Sequence, residues 1–158
     1  MSQMATDISA PENALEPQGA ARLSILTKEQ ALSEWDVLGD LFALAIPSSL
    51  GRRTIEGVRQ EIEDDLGMVV IAWDPDPKAP VIYAAFLIES EQYGESKKVF
   101  NIALCGGSDI EEWGHLFWQF RDMAKELDFN QIEIVGRAGW SKFIGSKAVR
   151  HTFIEELA

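Results

Sequence analysis

The segment 98–140 constrains the fold more than any other part of the chain. Residues 98–104 form an apolar run with Val99, Ile102 and Leu104, which predicts a strand. Cys105-Gly-Gly-Ser-Asp-Ile110 then leads into a helical pattern. Trp113, Phe117, Phe120, Ala124 and Leu127 recur on one helix face, widened by Leu116 and Met123. A turn at 128–130 precedes a second strand at 131–135. Two strands joined by a helix predict a parallel pair with a right-handed crossover. The second strand ends in Gly136-Arg-Ala-Gly-Trp140, at the kind of strand edge where α/β proteins place their sites.

The preceding elements must pack on that unit. Residues 1–22 are polar, hold Pro11 and Pro17, and show no period, so they read as a disordered tail ahead of one domain at 23–158. Thr27-x-x-Gln30 is a capping-box pattern in front of a helix over 28–45, with Leu32, Trp35, Leu38, Phe42 and Ala45 in phase and Pro47 beyond its end. After a loop at 48–53, Thr54 caps a second helix carrying Ile55, Val58, Ile62 and Leu66, which Gly67 ends. Residues 68–73 and 81–89 are strands separated by a proline-rich turn. The near-continuous apolar run at 81–89 implies cover on both faces. A loop at 91–97 is too short for a crossover helix, so the strands around it pair antiparallel. A short helix at 139–145 and a final strand at 149–157 close the chain. The fold class is α/β (α+β), a mixed, mostly antiparallel sheet with helices on both faces.

Composition removes several function classes. The net charge is −12, with 26 acidic against 14 basic residues, which argues against general binding to nucleic-acid backbones. It suits a dispersed soluble protein, and it also fits an acidic inhibitor that imitates nucleic acid. The single cysteine, Cys105, gives neither a disulfide framework nor a cysteine zinc cluster, which favours a reducing, cytoplasmic setting. No apolar run is long enough to span a membrane, and the start of the chain lacks the pattern of a signal peptide.

With the element order in place, the chain resembles the acyltransferase fold of the Gcn5-related N-acetyltransferases (GNAT). Over 98–158 the residues Trp113, Glu133, Gly136, Arg137, Gly139 and Trp140 are similar to those of small phage-encoded proteins with a degenerate form of this fold. Such proteins often occur among virion and packaging genes. The family's closing Gly-Phe pair is not clear here, since no aromatic residue follows Gly145. In active members of the family, the loop before the long helix carries an Arg/Gln-x-x-Gly-x-Gly/Ala pattern. Its backbone donors and the helix N-terminus hold the pyrophosphate of acetyl-CoA.

This chain departs from that pattern. Gly106, Gly107 and Ser108 are the residues that could hold the cofactor, because glycines permit close approach. Ser108-x-x-Glu111, however, is a capping-box pattern that would answer the free amides internally. Asp109, Glu111 and Glu112 stand where a diphosphate would sit. Like unit charges 4 Å apart repel by about 1 kcal/mol in bulk water and about 4 kcal/mol at a surface-like dielectric.

Other candidates each have a plainer reading. Arg137 could hold a carboxylate in a fork, of Glu133, of the acidic helix start or of a partner, or it could brace its own turn. Arg137, Lys142, Lys147 and Arg150 form a basic segment without acids, able to meet an acidic partner or to balance acids of the same domain. Trp118 is off the main stripe and either packs on another element or lies at an interface. Trp140 reads as an anchor, and Cys105 as a buried, inert thiol. His115 and His151 have no companions at metal-ligand spacing. Glu89, at a strand end, is the one position suited to a general base, and neither Tyr83 nor Tyr93 stands where the family's acid tyrosine would. No catalytic or metal set emerges. The leading expectation is a non-enzymatic, GNAT-like phage-type protein in the host cytoplasm or virion, contacting another protein and needing no cofactor. The alternative is an N-acetyltransferase using acetyl-CoA.

Overall fold

The computed structural model describes residues 6–7, 21–76, 78, 80–134 and 155. Among the described residues six strands lie in sequence order across one sheet: β1 (Thr6–Asp7), β2 (Arg22–Leu26), β3 (Met68–Asp74), β4 (Val81–Tyr93), β5 (Lys97–Gly107) and β6 (Gln131–Ile134). Neighbours pair antiparallel from β1 to β5, and β5 pairs with β6 in parallel. The mixed, mostly antiparallel sheet is as expected. Within the expected tail, Thr6–Asp7 pairs with β2, whose five residues carry no strand signature in the sequence.

Both sheet faces are covered. On one side α1 (Lys28–Ser33), α2 (Trp35–Ala43) and α3 (Ile55–Glu63) bring Ala31, Leu38, Phe42, Val58 and Ile62 down onto Val69, Ile71, Ala85, Leu87 and Leu104. On the other side α4 (Ile110–Trp113), a 3-10 turn (Gly114–Trp118) and α5 (Gln119–Glu126) seat Trp113, Phe117 and Phe120 around Phe86. Phe86 meets these three rings edge-on, at centroid separations of 5.4, 6.1 and 5.0 Å.

A β-bulge links the two layers. Leu87 pairs with Leu104 and Ile88 with Ile102, so Ala103 is an extra residue in β5. One extra residue reverses the side-chain alternation. Phe100 and Ile102 therefore face α5, whereas Leu104 faces α2 and α3.

Three local expectations change. The helix expected over 28–45 is broken at Glu34, which is the C-cap of α1 and N-cap of α2, and it ends in a 3-10 turn at Ile46–Ser49 that takes in Pro47. The helix expected after Asp109 is broken by the 3-10 turn; Trp113, Leu116, Phe117, Phe120, Met123 and Ala124 of its apolar stripe are buried, but Leu127, expected on the same stripe, is exposed at the C-cap of α5. Gly67 does not provide the left-handed helix stop. Asp65 does (φ 59°), while a Cβ on Gly67 would come within 2.7 Å of Leu87 Cδ1. The Thr27 capping box and the Thr54 cap both form. The elements expected at 139–145 and 149–157 lie outside the described residues.

Candidate functional site

The segment expected as a loop from Cys105 begins as the end of β5, so that only Ser108 and Asp109 connect β5 to α4, and its glycines are enclosed by the chain itself. A Cβ on Gly106 would fall 1.8 Å from the Leu41 carbonyl oxygen and 3.2 Å from Phe42 Cα, both in α2. A Cβ on Gly107 would fall 2.4 Å from the Tyr83 carbonyl oxygen. Gly106 and Gly107 also pair with Ala85 and Ala84 in the β4–β5 ladder. The close approach these residues permit is that of α2 and β4.

Ser108 is committed in the same way. Its amide donates to the Tyr83 carbonyl (3.0 Å), and its own carbonyl accepts from Trp113 Nε1 (2.8 Å). The expected capping box is not formed. Asp109 adopts a left-handed conformation (φ 55°) as the N-cap of α4 and makes no side-chain capping bond. The Ser108 hydroxyl instead reaches Asp109 Oδ2 at 3.3 Å. A left-handed N-cap points its side chain away from the amides that an extended one would reach. Asp109, Glu111 and Glu112 are exposed. Their field is felt nearby: burial raises the pKa of the Tyr83 phenol, and Asp74, Glu112 and Asp109 add to that rise.

A second polar cluster lies on the α1–α3 face. Arg53, just ahead of α3, forks onto Glu89 of β4, with Nη2 at 3.0 Å from Oε1 and Nη1 at 3.2 Å from Oε2. Nη1 also donates to Oε1 of Glu61 in α3, at 3.1 Å. The three side chains are only 20–29% exposed. Glu61 Oε2 is buried and has no hydrogen-bond partner among the described residues. Burial pushes the Glu61 carboxyl up, Glu89 adds to this against the pull of Arg53, and the result is about 7. Burial acts upward on Glu89 as well, but its bonds to Arg53 and Glu61 and the charge of Arg53 hold it below the usual range. Glu89 is thus a braced carboxylate, where the sequence suggested a candidate base. Asn101 of β5 and Glu133 of β6 lie in register beside it. Asn101 is 5% exposed and donates to Glu91 at 3.3 Å.

The remaining candidates separate. Burial raises the Cys105 thiol far above its usual value, which agrees with an inert side chain. Burial lowers the pKa of His115 against the pull of Glu112. Among the described residues no group of His, Cys, Asp and Glu could hold a metal ion. Trp118 is half-buried at the end of the 3-10 turn. Arg137, Trp140, Lys142, Lys147, Arg150 and His151 lie outside the described residues, as do Gly136 and Gly139. Sequence reasoning missed Arg53 and Glu61, whose tertiary pairing with Glu89 has no signature in spacing.

No protein-family profile matches the chain, and no curated protein sequence matches it. Solved structures do. A probable acetyltransferase superposes with a TM-score of 0.63 at 13% identity, over 87% of this chain and 97% of that one. An aminoglycoside acetyltransferase from an uncultured soil metagenomic sample, in complex with trehalose, gives 0.61 at 14% identity over 88% and 97%. The ribosomal-protein-alanine N-acetyltransferase of Brucella melitensis biovar Abortus 2308 gives 0.59 at 11% identity over 88% and 100%. Among the described residues no helix is long and apolar enough to cross a membrane. At these identities the likeness is one of architecture, and the chain has the GNAT acyltransferase fold.

Proposed function

We propose that this chain uses the GNAT fold without acyl-CoA and acts by contact with another protein. The role would be that of the small phage-encoded proteins it resembles, in virion assembly or as an accessory factor in the host cytoplasm. The observation that carries this reading is the end of β5 and the turn that leads from it into α4. Gly106 and Gly107 are filled by α2 and β4, the Ser108 amide is bonded to Tyr83, and three exposed acids crowd the start of α4. A diphosphate needs free amides and a positive field; the Ser108 amide is committed to Tyr83, and Asp109, Glu111 and Glu112 oppose the field at the start of α4. On this reading the loop is unsuited to the pyrophosphate of acetyl-CoA.

Titration calorimetry with acetyl-CoA tests this directly. No heat and no thermal shift are expected, and micromolar binding would overturn the reading. The competing assignment, an N-acetyltransferase, is favoured by the three structural neighbours named above, which are acetyltransferases. It requires that binding. Should acetyl-CoA leave the protein unchanged, capture of a protein partner from the native host would support the contact role.

A further inference from the structure

The Arg53 cluster holds one carboxylate more than its arginine needs. The fork between Arg53 and Glu89 is complete in itself, with both terminal nitrogens engaged. Glu61 Oε1 shares Nη1 with Glu89, at 3.1 Å against 3.2 Å, and its second oxygen is buried without a hydrogen-bond partner among the described residues. An ionised Glu61 would bury that oxygen beside another negative charge. A proton on Glu61 removes both problems, because the acid donates to Glu89 while still accepting from Arg53. The cluster then carries one cation, one anion and one neutral acid.

We infer that Glu61 and Glu89 share a single proton that acts as a latch, fastening α3 to β4 while it is held and releasing α3 when it is lost to solvent. The surroundings support this assignment. Arg53 is the cation that touches Glu61. Within α3, Arg59 is paired with Glu63, and Lys28 of α1 reaches Asp65 beyond the end of α3. From the sheet, Glu89 and Glu91 face the same side, with Asn101 and Glu133 in register with Glu89. The local charge balance is therefore acidic, which favours retaining a proton. With the latch open, α3 rests on the sheet through its apolar side chains, chiefly Val58 and Ile62.

Burial and the neighbouring carboxylate place the Glu61 midpoint at about 7. Against an ordinary carboxyl in the released helix, that midpoint makes opening roughly tenfold more frequent at pH 8 than at pH 6. Amide hydrogen exchange on the full chain, corrected for intrinsic rates, reads this. The amides of α3 should lose about tenfold protection across that interval, while those of β4 stay unchanged. Glu61→Gln keeps a donor toward Glu89 but cannot titrate, and it should show equal protection at both pH values. Equal protection in the native chain, or the same loss in Glu61→Gln, would overturn the latch. A carboxyl-carbon titration of the native protein provides a second test: a Glu61 midpoint near the ordinary range of about 4–5 would also overturn it.

Discussion

Replacing Gly106 with alanine is the most direct challenge to the account of the loop. The added Cβ would stand 1.8 Å from the Leu41 carbonyl oxygen, 2.7 Å from the Leu41 carbonyl carbon and 3.2 Å from Phe42 Cα. Relief requires the end of α2 to retreat by roughly 1.5 Å, since ordinary contacts begin near 3.4 Å. No side-chain rotation can provide that, because the obstacles are backbone atoms. The helix cannot withdraw without unseating Phe42, which is fully buried among the side chains between α1–α3 and the sheet. Overpacking of a close-packed core costs about 1–3 kcal/mol, and a backbone-to-backbone clash belongs at or above the top of that range. For a chain of this size, about 3 kcal/mol corresponds to a melting shift of roughly 6–12 °C. Gly51→Ala is the control. Gly51 has φ +76° and nothing within 4 Å of a new Cβ, so only left-handed strain applies, about 1–2 kcal/mol. Urea melts followed by tryptophan fluorescence would compare the two variants. A Gly106→Ala protein within about 0.5 kcal/mol of the native chain would refute the packing argument and reopen the loop to a ligand.

Trp113→Phe keeps a ring against Phe86 and Phe117 but deletes the 2.8 Å bond from Nε1 to the Ser108 carbonyl. A loss of about 1–2 kcal/mol is expected in denaturant melts, and no loss would mean that the indole bond does not hold the loop. Asn130 ties the start of β6 to β5, accepting from the Lys98 amide at 3.0 Å and donating to the Ser96 carbonyl. Asn130→Ala should cost about 1 kcal/mol and speed amide exchange at the start of β5, while Asn130→Asp keeps the acceptor and should cost less. The Glu61 carboxyl is raised in the folded state, so the folded chain holds the extra proton and this stability falls as pH rises from about 4.5 through about 7. The full shift would be worth about 3 kcal/mol, and partial exposure of the cluster reduces the expected loss to about 1–2. Glu89 works in the opposite sense, its stabilisation being lost as pH falls through its lowered value. From these two groups urea midpoints should therefore peak near pH 4–5 and fall as pH rises through about 7, and a midpoint still rising to pH 8 would contradict the assignment of the raised carboxyl.

The apolar strands and helix stripes were legible because burial on both sheet faces demands long runs of Val, Ile, Ala and Phe. β2 was not. Its Ser24 is fully buried and accepts from Trp73 Nε1 at 2.8 Å, so a polar residue occupies an interior position and masks the alternation. The break in the helix after Asp109 was hidden for a different reason. A 3-10 turn over Gly114–Trp118 keeps Leu116 and Phe117 buried, and five residues are too few to separate a period of 3.0 from one of 3.6. The Arg53 cluster depends on tertiary approach. Its one sequence trace is a charge at Glu89, on the face that Ala85 and Leu87 bury.

Ser108-x-x-Glu111 and the paired glycines show where local patterns stop being informative. Both patterns state what a backbone could do, and neither states what approaches it. Glycine admits a phosphate, a helix or a neighbouring strand on equal terms, since the absence of a Cβ is all it contributes. At Gly106 the visitor is the backbone of α2, and at Gly107 it is the backbone of β4. Charge is the more discriminating signal, because a polyanion and a protein backbone differ most in that respect. Asp109, Glu111 and Glu112 mark an approach that is costly for phosphate and neutral for a peptide carbonyl. The acidic start of α4 and the closed glycines thus have a common physical consequence. A loop with no anion to hold can place acids at a helix N-terminus and let a second helix rest against its glycines.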